Sequence, residues 1–277
     1  MQKRVMAIHD ISCFGKCSIT AAVPLLSAAG AEVCPIPTAV LSTHTGGFEG
    51  YTFEDLTHNI MPVVNHFKEL DIKFDCIYSG YLGSFDQIEY VKKIISMFKN
   101  QHTLVLVDPV MGDNGKLYAG FDINFAKEMV SLCKMADIIV PNVTEAAFLT
   151  GTEYIEPPFT KEYIKMLIEK LKQICEGDIV LTGAVLEKGQ TGIAVCHNGN
   201  TEYITQPQSE GMYHGTGDVF ASTLLAGLLN GLSLKESGKI AAEFIPVCIE
   251  KTKELGVFYG VNFEQCIPHL LKELRLL

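Results

Sequence analysis

Short apolar runs alternate with longer amphipathic stretches along most of the chain. Val5–His9, Ala31–Pro35, Phe74–Ser79, Leu104–Val107, Ile138–Val140 and Ile179–Thr182 are almost continuously hydrophobic. Such runs predict parallel strands covered on both faces. Between them, Ile19–Ala29, Phe53–Leu70, Phe85–Lys99, Phe121–Lys134 and Thr160–Cys175 carry helical periodicity. Strand followed by helix, repeated, predicts a doubly wound sheet with right-handed crossovers. Past residue 180 the pattern becomes polar–apolar alternation in Thr191–His197 and Glu202–Gln206, around His197-Asn198-Gly199-Asn200, which predicts an antiparallel hairpin. From Gly217 the chain reads as mostly helical through Leu228, Ala241–Lys253 and Ile267–Leu277. No linker or repeat breaks this order, so one domain over residues 1–277 is expected. Its predicted architecture is an α/β/α sandwich around a mostly parallel sheet with an antiparallel edge.

The 277 residues are 48% hydrophobic and 19% charged, enough for a large core without disulfide or metal staples. Lysine plus arginine number 22 against 32 acidic residues, a net charge of −10. That excess excludes partners that need a basic footprint, so neither nucleic acid nor membrane is expected. Small phosphate ligands stay open, because backbone amides and one or two local cations can hold them. Nine cysteines are scattered, and Cys76, Cys133, Cys175 and Cys248 lie among apolar neighbours. With no leader-like segment at the start, the expectation is reduced thiols in a cytoplasmic protein. Cys13-x-x-x-Cys17 lacks a second ligand pair at zinc spacing, and no apolar run reaches membrane-span length.

Gly215-Thr216-Gly217-Asp218 precedes a strongly helix-forming run, Ala221–Leu229. Two glycines let the backbone curl and aim amide groups and the positive end of a helix at one point, which favours an anion. An aspartate there reads either as a helix cap or as a base that takes a proton from an alcohol attacking a phosphoryl group. Asp108-Pro109-Val110-Met111-Gly112 and Pro141-Asn142-Val143-Thr144-Glu145 each follow a predicted strand, where open α/β sheets bind ligands. Oxygen-bearing residues at neighbouring strand ends suit Mg²⁺, although Asp108 and Asn142 also read as caps. His9-Asp10, Thr43-His44-Thr45-Gly46-Gly47 and Ser79-Gly80-Tyr81-Leu82-Gly83 are further polar strand ends and loops. Two familiar phosphate signatures fail. The stretch around Gly15-Lys16 has Asp10 and Cys17 where a Walker A loop needs Gly and Ser or Thr, and Gly215-x-Gly217 is followed by Phe220 where a dinucleotide fingerprint needs a small residue.

Together these motifs resemble the ribokinase superfamily and, within it, the pyridoxal/pyridoxamine (vitamin B6) kinases. The resemblance runs essentially end to end and rests on Ser79–Gly83, Asp108–Gly112, Pro141-Asn142-x-x-Glu145 and Gly215–Asp218, in that order. It implies a ribokinase-like fold and ATP-dependent phosphorylation of the 5′-hydroxymethyl group of pyridoxal, pyridoxamine or pyridoxine. It implies Asp218 as base, with the Gly215, Thr216 and Gly217 amides as anion hole. Asp108 and Glu145 would organise Mg²⁺, with Asn142 near the phosphates, Thr182 on the nucleotide, and Thr45 and Tyr81 on the pyridine ring. A homodimer and a monovalent cation such as K⁺ are also implied. One departure concerns the acceptor: many such kinases carry Gln-Ser-His after the first strand, whereas His9-Asp10-Ile11 stands here. Asp10 suits a protonated ring nitrogen or an amine. Two alternatives remain at this level, a hydroxymethylpyrimidine kinase of thiamine synthesis and a non-catalytic nucleotide- or vitamer-binding sensor.

Overall fold

The apolar runs become strands because both of their faces meet helices. A computed structural model describes residues 2–211, 213–257 and 259–277. β1 (Arg4–Ser12) leads through α1 (Ile19–Ala28) to β2 (Glu32–Leu41) and the short β3 (Phe53–Asp55). Then come α2 (Thr57–Glu69), β4 (Cys76–Ser79), α3 (Phe85–Phe98) and β5 (Leu104–Val107). A ribbon of β6 (Gly112–Asp113) and β7 (Lys116–Leu117) precedes α4 (Ile123–Cys133), β8 (Ile138–Ile139), α5 (Val143–Thr150), α6 (Lys161–Leu171) and β9 (Asp178–Thr182). β10 (Gln190–His197) and β11 (Asn200–Pro207) form the hairpin, and α7 (Thr216–Leu229), α8 (Leu234–Glu254) and α9 (Ile267–Glu273) follow.

The main sheet runs β11-β10-β9-β8-β5-β4-β1-β2-β3. It is parallel from β9 to β2 and antiparallel at both ends. Alternate residues feed two separate cores. Met6, Ile8, Ile77, Val105, Val107 and Leu181 face α2 to α6, while Val5, Ala7, Tyr78, Leu106 and Val180 face α1 and α7 to α9. The three-layer sandwich is therefore present.

The predicted helix Phe53–Leu70 is corrected at its start. Residues 53–55 pair with the end of β2, Leu41 opposite Phe53 and Ala39 opposite Asp55. The Asp55 carboxylate then accepts the Thr57 amide at 2.7 Å and turns the chain into α2. Long-range pairing overrides local periodicity there. The second strand runs to Leu41, beyond its predicted end at Pro35. Pro35 and Pro37 pair only with β1, at Ala7 and His9, so their missing amides fall where the sheet has no further neighbour. α8 likewise begins at Leu234, earlier than Ala241, behind a capping box made by Ser233 and Glu236. The hairpin turns through Asn198 and Gly199, both at positive φ, as a two-residue turn demands.

β2 and β4 leave β1 on opposite sides, so the direction of winding reverses at β1. The crevice beyond the carboxyl ends of β1 and β4 is the switch point where such sheets bind ligands.

Candidate active site

His9 and Asp10 lie in the last part of β1, just past its final pairing with β4 at Ile8 and Ser79, and Gly80 and Tyr81 follow β4 at the same switch point. Asp10 is 4% exposed and accepts a hydrogen bond from Ser12 Oγ at 2.9 Å. Tyr81 is half-buried. Its hydroxyl is pushed up to about 12, by burial first and then by the charge of Asp10 and by Tyr51. His9 is fully buried, both ring nitrogens lack a hydrogen-bond partner, and burial pushes its pKa down to about 3. A Cβ on Gly80 would stand 2.3 Å from His9 Nδ1, so only glycine fits against that ring.

The next two strand ends carry the other acids. Asp108 follows β5, its amide donating to Ser79 O at 2.9 Å. Its side chain is held well above the ordinary carboxylate range, by burial and then by Glu145 and Asp218. Asn142 follows β8 and caps α5: its Oδ1 accepts the Glu145 amide at 2.8 Å, and Glu145 Oε2 accepts the Asn142 amide at 2.8 Å. Asn142 Nδ2 donates to Gly112 O at 2.9 Å, so this side chain is engaged at both ends. Glu145 Oε1 also accepts the Met111 amide, and burial raises its pKa in spite of those donors. Thr182 ends β9, its amide and hydroxyl both directed at Pro141 O.

α7 completes the site. Gly215 is its N-cap at φ 79°, and a Cβ there would lie 2.4 Å from Lys16 O and 3.3 Å from Cys17 Sγ. The glycine is needed for the left-handed turn and for this close approach. Thr216 and Gly217 open the helix, their amides turned out of its hydrogen-bond ladder. Asp218 therefore sits in the first turn and is not the cap. Its carboxyl is pushed up to about 7, chiefly by burial, opposed by the Ser18 backbone amide and reinforced by Asp10. The loop before α1 packs on this turn, with Lys16 and Ser18 at positive φ. Cys17 is buried within reach of both Asp218 and Asp10, and burial with their two charges drives its thiol far up, so it stays protonated.

The structure thus gathers Asp10, Asp218, Asp108 and Glu145 into one row, each neighbouring pair linked electrostatically. Thr45 stands apart on the exposed rim. Its neighbour His44 is locked, Nε2 donating to Tyr259 O at 2.6 Å while Nδ1 accepts the Gly46 amide at 3.2 Å. Tyr118 was not anticipated from sequence. It follows the β6–β7 ribbon, and its hydroxyl feels Glu145, Asp113, Asp108 and Asp218. Nothing in its local sequence signals this, because the ribbon folds back onto α5 through Gly115 N and Thr144 Oγ1 at 2.9 Å.

The acid pair fits a divalent ion of the Mg²⁺ type. Asp108 is buried without an ion-pair partner among the described residues, and each Glu145 oxygen spends one acceptor site on a backbone amide. Mg²⁺ is commonly held by one or two carboxylates, completing its shell with water and phosphate.

Comparison with known proteins identifies what the chain is similar to. The family model described as phosphomethylpyrimidine kinase matches residues 19–262. A Bacteroides thetaiotaomicron protein, provisionally described as a phosphomethylpyrimidine kinase and crystallised in one form with pyridoxal, is 36% identical in sequence. Its TM-score in that form is 0.91, covering 98% of this chain and 96% of that one. Pyridoxal kinase from Lactobacillus plantarum is 29% identical, with TM-score 0.90 over 98% of this chain and 97% of that one. Pyridoxal kinase from Dictyostelium discoideum is 29% identical over 294 residues, covering 97% of this chain and 90% of that protein.

Proposed function

Since the chain belongs to the phosphomethylpyrimidine kinase family, we propose that it transfers the γ-phosphoryl group of ATP to the 5′-hydroxymethyl group of a B6 vitamer: pyridoxal, pyridoxamine or pyridoxine. The observation that carries this reading is Asp218, a carboxyl raised to about 7 in the first turn of a glycine-framed helix start. A base near neutral pH is matched to taking an alcohol proton, and the helix start favours phosphate beside it. Related proteins support the choice of acceptor, because the 36%-identical Bacteroides protein was crystallised with pyridoxal.

In this mechanism the 5′-oxygen attacks the γ-phosphorus while Asp218 accepts its proton, and ADP leaves. The Gly215, Thr216 and Gly217 amides stabilise the charge spread over the transferring oxygens. Asp108 and Glu145 would hold Mg²⁺, with Asn142 behind them fixing Glu145. The bound ion would neutralise phosphate charge. Thr182 lies on the nucleotide side, and Asp10, Tyr81 and Thr45 on the vitamer side. No helix of the described residues is long and apolar enough to cross a membrane. A cytoplasmic homodimer using K⁺ beside the anion hole completes the proposal.

A second reading, hydroxymethylpyrimidine kinase, is favoured by the description of the family model. Parallel turnover assays with the three vitamers and the pyrimidine decide between them. Faster use of the pyrimidine than of every vitamer would replace the first reading with the second. A sensor without catalysis would gain nothing from keeping Asp218 at the cost of burying its charge.

A further inference from the structure

Tyr78 places a hydroxyl where the fold otherwise keeps apolar side chains. It is fully buried in β4, on the sheet face that carries Val5, Ala7, Leu106 and Val180. Phenylalanine would fill the same space without taking a polar atom out of water, which is costly unless that atom is paired. The side-chain partner of the hydroxyl is Ser222 Oγ in α7, at 3.5 Å and equally buried. His9 adds no second partner. Its ring meets Tyr78 edge-on with centroids 4.4 Å apart, and both its nitrogens are without a hydrogen bond.

Register and helical spacing put this hydroxyl beneath the carboxyl row. Tyr78 pairs with Ala7 of β1 on one side and with Leu106 of β5 on the other. Two residues further along those two chains stand His9 and Asp108. On the helix side, Ser222 comes one turn after Asp218, so both lie on the same side of α7. The contact between Tyr78 and Ser222 therefore ties the strand ends that carry Asp108 to the helix start that carries Asp218. Burial, and then the charges of Asp108 and Asp218, keep the Tyr78 hydroxyl protonated, so it remains a donor.

We propose that the Tyr78 hydroxyl is a positioning group for phosphoryl transfer: through Ser222 it fixes the first turn of α7, and with it the place of Asp218 relative to Asp108. The inference rests on the kinase reading with Asp218 as base. Both hydroxyls are closed off from solvent, so they act on the reaction through the carboxyl row and not by touching substrate. A base displaced by about 1 Å can lose about 10²-fold in rate while the substrates still bind.

The test compares Tyr78→Phe, Ser222→Ala and the double variant with the unchanged protein. Turnover is measured with ATP, Mg²⁺ and each of the three vitamers and the hydroxymethylpyrimidine, and hydrogen exchange is followed along α7. Each single variant is expected to lower kcat for the best acceptor by about 10- to 100-fold, with KM for ATP and acceptor within about twofold. The double variant should fall no further than the single ones, because all three remove the same contact. Val219, whose amide donates to Gly215 O at 3.0 Å, should exchange faster in the variants while the other elements exchange as before. A kcat within about twofold of the unchanged protein in Tyr78→Phe would overturn the proposal. So would losses that multiply in the double variant, or a loss that comes with raised KM values and a lower melting temperature, which marks a structural role. Exchange stands apart from turnover. An unchanged protein that phosphorylates none of the four acceptors refutes the kinase reading, whereas unaltered exchange at Val219 in both single variants overturns the positioning role whatever the turnover.

Discussion

Replacing Asp218 with Asn should stabilise the unliganded protein and cripple the enzyme, and the two effects follow from one feature. The folded carboxyl titrates at about 7 against an ordinary 3.8. Between those values the folded protein holds a proton that the unfolded chain has released, so stability falls as pH rises through this window. The penalty is absent below about pH 4 and complete above about pH 7. At about 1.4 kcal/mol per pH unit it would reach about 4 kcal/mol. Asp218 is only half-buried, and water screening at the crevice leaves roughly half of that, about 2 kcal/mol. Asn preserves the shape and can still accept the Ser18 amide, so Asp218→Asn removes the penalty. Thermal melts of both proteins from pH 8 down to pH 4 check this. A gain of about 4–8 °C is expected at pH 8, shrinking steadily through the acid range. No gain at pH 8, or one independent of pH, would refute the reasoning.

Other outcomes follow from the same geometry. Gly215→Ala forces a side chain into a left-handed turn against the Lys16 carbonyl, and should cost about 2–4 kcal/mol in denaturant melts. Its turnover should fall about 10²-fold as the anion hole shifts. Asp108→Asn should raise the Mg²⁺ concentration for half-maximal rate by about tenfold or more, measured by titrating the ion at fixed ATP. In the unchanged protein kcat/KM should climb about tenfold per pH unit below about pH 7 and level off above it, as Asp218 loses its proton; a flat profile from pH 5 to 8 would count against Asp218 as the base.

Much of this was legible in the chain because parallel strands buried on both faces are written as continuous apolar runs, and Leu104–Val107 coincides with β5. The Asn198-Gly199 turn was equally plain, since positive φ at both positions leaves few residue choices. Asp10, Asp108, Glu145 and Asp218 were recognisable individually as strand-end or helix-start residues. Their assembly into one row of carboxyls raised chiefly by burial depends on strand order, which local pattern does not encode. Phe53–Asp55 reads as helix from local pattern because its partner lies more than ten residues away in β2. Tyr118 carried no signal at all: its place beside the acids is set by a ribbon docked on α5. Asn142 shows how a cap and a site residue coincide, since the hydrogen bonds that start α5 also aim Glu145.

The central claim is phosphoryl transfer to a vitamer with Asp218 as base, and one measurement addresses it directly. Unchanged protein and Asp218→Asn are incubated with ATP, Mg²⁺ and each of pyridoxal, pyridoxamine, pyridoxine and the hydroxymethylpyrimidine, with the products followed by mass spectrometry. The account predicts a vitamer 5′-phosphate formed one for one with ADP, and a rate lower by about 10²- to 10⁴-fold in the variant. ATP loss independent of every acceptor, or undiminished turnover by Asp218→Asn, would contradict it.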